Sequence, residues 1–215
     1  MNRDGSPTLD ARTLLGLSPV LPVVVLDDAD AAVATARALL AGGVGVMEVT
    51  LRTPAALEAI TRIRLEVPDL VVGAGTVTRP DQADRAAHAG ATFLVTPGQT
   101  DTLLDAAVAT GLPVLPGVAT VSEALRAAER GLDTLKFFPA EASGGAAALS
   151  AFAGPLPDLR FCPTGGITPD NAARYLALPN VDCVGGTWLT PADAIAARDL
   201  GRIETLAREA TTPTT

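Results

Sequence analysis

Short β-branched runs recur through this chain at a nearly constant interval, and that period constrains the fold more than any other feature. The runs are Val20–Leu26, Val44–Thr50, Leu70–Gly73, Thr92–Thr96, Pro113–Leu115, Thr134–Phe138, Arg160–Cys162 and Val181–Val184. They begin 24, 26, 22, 21, 21, 26 and 21 residues apart. Ala/Leu/Arg-rich stretches of helical composition lie between them: Ala29–Ala41, Pro54–Glu66, Pro80–Ala89, Asp101–Thr110, Val121–Arg130, Ala146–Phe152 and Asn171–Ala177, with Ile203–Ala210 after the last run. A strand followed each time by a helix argues for parallel pairing with right-handed crossovers. Eight such units are the number that closes a (βα)8 barrel. An open doubly wound sheet is the alternative, but it usually has fewer strands and a glycine-rich loop after the first. The segment after Leu26 reads DDAD and holds no glycine. The expectation is therefore an α/β protein, a single-domain (βα)8 TIM barrel over residues 8–210. A short N-terminal helix near Leu9–Leu15 would plug its bottom. Residues 1–7 and 211–215, polar and rich in turn formers, are expected to be flexible termini.

Composition narrows the function. With 48% hydrophobic and 19% charged residues over 215 positions, wholesale disorder is excluded. A formal net charge of -8 argues against nucleic acid as a partner, because phosphate contacts dominate that affinity. No apolar run approaches the ~18 residues that span a bilayer, so no membrane partner is expected. The leading MNRDGSPTLD has no apolar signal core, which points to the cytoplasm. Two cysteines, Cys162 and Cys183, and one histidine, His88, are too few for a metal cage or a disulfide framework, so no metal and no cofactor are expected. Both cysteines sit among apolar neighbours and read as small core residues. His88, near a helix end, reads as a cap or surface residue.

In a barrel, chemistry collects where strands end. Lys136 stands out there. Of sixteen basic residues it is the single lysine, and it lies in the apolar run TLKFFPA. Alternation puts Leu135 and Phe137 on one face of the strand and Lys136 on the other. Both faces of a barrel strand are covered. A low-dielectric setting disfavours an ammonium ion, and a neutral amine is a nucleophile able to form a Schiff base with a carbonyl. A lysine snorkelling to solvent is the bland alternative. It does not explain why this one basic position is not arginine, which cannot form an imine. Glu48, Thr50 and Arg52 alternate likewise in MEVTLR. A glutamate between Met47 and Val49 needs a partner or a task. An ion pair with Arg52 or Lys136 and an acid/base role are compatible readings. Arg52 suits a planar carboxylate; a surface salt bridge is its alternative. Thr164-Gly165-Gly166 and Gly185-Gly186-Thr187 follow the last two strands, where barrels often hold a phosphate on backbone N–H groups. Pro97 and Phe138, at two further exits, are expected to wall the pocket. Trp188 either walls the phosphate loop or packs, and the sequence does not choose.

These residues resemble a family. GVGVMEVTLR at 43–52 and GLDTLKFFPAEASG at 131–144 are similar to the bacterial 2-keto-3-deoxy-6-phosphogluconate (KDPG) and 4-hydroxy-2-oxoglutarate (KHG) aldolases. VGAGTV at 72–77, VTPG at 95–98, CPTGGIT at 162–168 and VGGTWL at 184–189 add to the likeness, which runs from about residue 8 to 210. The resemblance implies a homotrimeric barrel performing class I aldolase chemistry on a keto-acid sugar phosphate without metal. It implies Lys136 as the Schiff-base lysine and Glu48 as the acid/base. Arg52, Thr76 and Thr164 would bind the carboxylate and its surroundings, and Gly165, Gly166, Gly186 and Thr187 the phosphate. Relatives often carry serine at position 187; threonine keeps the hydroxyl. LRTP, with no asparagine beside Arg52, favours the phosphogluconate branch over the phosphogalactonate one. A phosphate-binding barrel of another class (isomerase, epimerase or synthase) is the competing reading. It would share the glycine pairs without requiring a lysine at 136.

Overall fold

The computed structural model describes residues 10–212. Nine short strands alternate with helices, all paired parallel. The strands are β1 (Val20–Val24), β2 (Val46–Thr50), β3 (Val71–Gly75), β4 (Leu94–Val95), β5 (Val114–Leu115), β6 (Gly117–Val118), β7 (Thr134–Phe137), β8 (Arg160–Pro163) and β9 (Val184–Gly186). They form a six-stranded sheet in the order β5-β4-β3-β2-β1-β9 and a three-stranded sheet, β6-β7-β8. Single bridges, Phe161 to Val181 and Thr164 to Gly185, tie β8 to the β9 segment. The strand count exceeds the expected eight because the chain continues extended past the fifth run, Pro113–Leu115, and Pro116 separates β5 from a further short strand, β6. A proline has no N–H to give the ladder, but its carbonyl still accepts from Lys136 N–H at 3.0 Å.

The helices are α1 (Ala11–Leu15), α2 (Ala29–Ala41), α3 (Ala56–Glu66), α4 (Pro80–His88), α5 (Asp101–Ala109), α6 (Val121–Ala128), α7 (Gly145–Ala153), α8 (Pro169–Leu176), α9 (Ala192–Ala197) and α10 (Leu200–Thr211). Local chemistry starts several of them. Asp10, Asp28 and Thr100 cap α1, α2 and α5 with side-chain oxygens, and Thr120 with Glu123 closes a reciprocal capping box on α6. The sequence reading did not anticipate α9. Its six residues, ADAIAA, are too few to show a period and follow a proline. Helix α10 runs one residue beyond the expected boundary at 210, with Thr211 Oγ1 donating to Gly42 O at 3.3 Å. Residues 1–7, Leu9 of the expected leading helix and 213–215 lie outside the described residues. Among the described residues no helix is long and apolar enough to cross a membrane.

Strand alternation sorts the core into two apolar clusters. Val24, Met47, Val49, Val72, Ala74, Leu94, Leu135 and Phe137 pack with the helices. Leu21, Val46, Phe93, Val95, Leu115, Cys162 and Cys183 pack with one another and with Leu14 and Leu15 of α1. This second cluster lies on the strand face that also carries Glu48 and Lys136, so the charged pair stands on an apolar floor. Both cysteines are free and buried, with sulfurs 3.4 Å apart. The hydrogen bond to Cys162, and then burial, push the Cys183 thiol up.

Candidate active site

The Lys136 Nζ–Glu48 Oε1 contact, at 3.3 Å, joins β7 to β2. The residues are 5% and 1% exposed. Taking two charges out of water is costly, and one contact returns little of it. The other carboxylate oxygen, Glu48 Oε2, is buried with no hydrogen-bond partner among the described residues. A buried acceptor left open in this way costs about 1–3 kcal/mol. A pair selected for stability would not leave it open. A pair that must receive a substrate hydroxyl or a water would. Lys136 also lies 5.3 Å from the centroid of the Phe138 ring, whose face attracts a cation.

Glycines make room for this arrangement. A Cβ on Gly75 would overlap the Cγ, Cδ and Oε1 of Glu48. A Cβ on Gly73 would overlap the ring of Phe93, and one on Gly185 the hydroxyl of Thr164. These three lie inside the strand ladders or at their last residues and serve close approach, not the turning of the chain. The Trp188 ring packs against Gly186, where a Cβ would collide with it.

A cavity of about 140 Å³ opens above Lys136. Arg52, Thr76, Pro97, Phe138, Thr164, Gly165, Gly166, Gly186 and Thr187 all line it with Lys136. Thus every site residue expected from the sequence reaches the cavity except Glu48, which lies behind Lys136. Val23, Ile167 and Gly185 line it as well. They are apolar or small residues of strands and loops and give no chemical signal of their own. Larger hollows at the opposite ends of the strands, such as that lined by Gly111, Leu112 and Pro113, hold none of these groups.

At the mouth, Arg52 is exposed and has no carboxylate partner among the described residues. Its Nε donates to Thr76 Oγ1 at 3.3 Å. Thr76 has φ 56, an outlier for a β-branched residue and a conformation costing on the order of 1–3 kcal/mol. Strain of this kind collects at functional sites. The Gly165-Gly166 loop forms the far wall, with φ of 99 and 79. Among the described residues, the N–H groups of Gly165, Gly166 and Ile167 donate to no other group. Consecutive free N–H groups in such a turn make an anion-binding concavity. Outside the cavity, Glu141 accepts from Tyr175 Oη and from Arg174 Nη2, the latter at 2.6 Å. These two donors hold the Glu141 carboxyl below its usual range. Burial, then Glu141, pushes the Tyr175 phenol up to about 12. His88 closes α4 with Nδ1 2.7 Å from Asp84 O, away from the site.

Known proteins share this architecture. The family model for KDPG and KHG aldolase matches residues 12–206. The KHG/KDPG aldolase of Escherichia coli K12 is 53% identical over 200 residues, 93% of this chain and 94% of its own. The KDPG aldolase of Legionella pneumophila, solved with pyruvate captured at low pH as a covalent carbinolamine intermediate, superposes with a TM-score of 0.93 at 43% identity, covering 95% of this chain and 99% of its own. The Zymomonas mobilis ZM4 KDPG aldolase, solved with 3-phosphoglycerate, gives a TM-score of 0.90 at 48% identity, covering 96% and 97%. A match this long and this close settles the family: the chain belongs to the KDPG and KHG aldolase family.

Proposed function

We propose that this protein is a class I aldolase that cleaves KDPG to pyruvate and glyceraldehyde 3-phosphate, and KHG to pyruvate and glyoxylate. The observation that carries the reading is the buried Lys136–Glu48 pair at the floor of the cavity, with its open carboxylate oxygen. Lys136 Nζ attacks the C2 ketone. Water leaves and an iminium forms, with Arg52, Thr76 and Thr164 around the substrate carboxylate. Glu48, through a water, takes the proton of the C4 hydroxyl. The C3–C4 bond breaks, its electron pair enters the iminium, and the aldehyde departs, leaving an enamine of pyruvate. Glu48 returns the proton to C3, and water hydrolyses the imine to free pyruvate and Lys136. A phosphate sits on the Gly165, Gly166, Gly186 and Thr187 backbone, while Pro97 and Phe138 wall the pocket. No metal or organic cofactor enters these steps.

The bridges between β8 and β9, together with β5 and β6 as halves of one strand, support an eight-stranded (βα)8 barrel as the whole of a single domain. The family resemblance supports a cytoplasmic homotrimer, and sedimentation equilibrium tests the trimer. Borohydride reduction with pyruvate tests the chemistry. Because Lys136 is the single lysine, the expected result is one reduced pyruvyl adduct mapped to it by mass spectrometry. Cleavage without any adduct overturns the Schiff-base route.

A further inference from the structure

Something must hold the Gly165-Gly166 loop with its N–H groups inward, because two glycines in succession leave both peptides free to flip. A flipped peptide would aim a carbonyl oxygen at the anion. The structure places a donor on each carbonyl of this stretch. Ala140 N–H donates to Thr164 O at 2.8 Å, Glu141 N–H to Gly165 O at 3.1 Å, and Asn171 Nδ2 to Gly166 O at 2.9 Å. Glu141 supplies more than its backbone. A Cβ on Gly166 would lie 2.7 Å from Glu141 Cγ and 2.8 Å from its Cβ, so the loop rests on the stem of that side chain. The carboxylate at the end of the stem is gripped from α8 by Tyr175 Oη, which is fully buried, and by Arg174. Glu141 therefore fastens three pieces together: the segment after the Lys136 strand, the glycine loop and the helix that follows it.

We propose that Glu141, held by Tyr175, is a positioning residue that orients the Gly165-Gly166 peptides and so sets the preference for phosphorylated over unphosphorylated substrate. This rests on the phosphate assignment above. Glu141 does not line the cavity, and neither Lys136 nor Glu48 hydrogen-bonds to it among the described residues. A structural prop of the barrel as a whole would affect all substrates alike; a prop of the phosphate loop affects one class.

Three variants test this. Glu141→Met keeps the Cβ and Cγ on which Gly166 rests and removes the acceptor. Tyr175→Phe removes the buried one of Glu141's two donors. The double variant replaces both partners by apolar groups, a change that is nearly neutral for stability in general and keeps the test alive if either single variant folds poorly. KDPG and KHG cleavage are measured side by side, with inorganic phosphate as a competitive probe and borohydride trapping of pyruvate as a control. For all three, kcat/KM for KDPG is expected to fall roughly ten- to a hundredfold, the scale on which a displaced binding group costs rate. The loss should lie mainly in KM, and the inhibition constant of phosphate should rise. Values for KHG should stay within about threefold and trapping should not change. Equal losses on both substrates, or no loss on KDPG, overturn the inference. Gly166→Val is run in parallel. If it separates the two substrates while the Glu141 and Tyr175 variants do not, the positioning role fails and the phosphate site stands. If it does not separate them, the phosphate assignment fails and this inference with it.

Discussion

An alanine at position 75 would test the acid/base assignment without touching either ionisable group. Gly75 ends β3 directly over the Glu48 carboxyl. Its φ is not among the positive values, so alanine meets no backbone penalty there. The nearest obstacle is Glu48, whose Cγ, Cδ and Oε1 occupy the space of the new methyl. Carbon atoms separate to about 3.5–4.0 Å in ordinary contact, so the carboxyl must move by more than an ångström. It is 1% exposed and has little free volume to enter. The 3.3 Å contact with Lys136 cannot survive the move. Misplacing a reacting group by about 1 Å costs on the order of a hundredfold in rate. The expected result is therefore a loss of about 10²-fold in kcat for KDPG. Imine formation should persist, because Lys136 itself does not move. Overpacking costs about 1–3 kcal/mol, or a melting temperature lower by several degrees in a chain of this size. Cleavage is followed by pyruvate release in a coupled lactate dehydrogenase assay. Trapping with borohydride is measured on the same sample, and thermal melting confirms the fold. A folded Gly75→Ala enzyme within threefold of the parent rate would refute the argument, since Glu48 would then not need this position to act. Equal losses in trapping and cleavage would also refute it, placing Glu48 before the imine.

Other substitutions separate the roles further. Lys136→Arg keeps charge and approximate length but cannot supply a neutral nucleophile; cleavage should vanish, and turnover above a few per cent sinks the Schiff-base step. Glu48→Gln keeps shape without accepting a proton, so cleavage should fall by roughly 10²–10⁴-fold while borohydride trapping falls much less. Gly166→Val forces a β-branched residue onto φ 79 against the Glu141 stem. It should lower kcat/KM for KDPG far more than for KHG, and equal losses would mean damage beyond the phosphate loop.

Much of this molecule is legible in the sequence because alternating parallel strands and helices map one-dimensional periods onto space. The interval between runs gives the strand–helix alternation, and α2 falls on the expected Ala29–Ala41. Parity within a strand gives orientation: Met47, Val49, Leu135 and Phe137 pack with the helices, while Glu48 and Lys136 meet on the other face. Contacts set by volume are not legible. The third run is bounded at Gly73 in sequence, yet β3 continues to Gly75, and Gly73 and Gly75 make space for Phe93 and Glu48. A missing side chain shows what it admits only when its neighbour across the sheet is known. The split at Pro116 is hidden for a related reason. A proline ends a hydrogen-bond ladder on one side while its carbonyl continues the other, and sequence alone does not say which side faces a partner.

Several unfavourable features gather at one rim of this protein, and each makes sense only when a substrate is considered. Glu48 Oε2 is buried without a partner. Thr76 holds φ 56 where glycine would be comfortable. Three consecutive N–H groups, of Gly165, Gly166 and Ile167, donate to no group among the described residues. Arg52 is committed to one neutral hydroxyl instead of a carboxylate. The opposite end of the strands, by contrast, is closed by Leu14 and Leu15 over an apolar cluster. Single exceptions occur elsewhere, such as Arg198 with φ 53 and the buried, unpartnered Asn180 Oδ1 and Thr190 Oγ1 among the described residues, but several exceptions gathered around one cavity point to function at that place. Three of these exceptions, together with Lys136, also match one ligand in outline. The open carboxylate oxygen suits a hydroxyl, the free guanidinium a carboxylate, the free N–H groups a phosphate, and the lysine between them a ketone. On the function proposed above, it is these groups gathered around one cavity, and not any one of them, that would suit a phosphorylated keto acid.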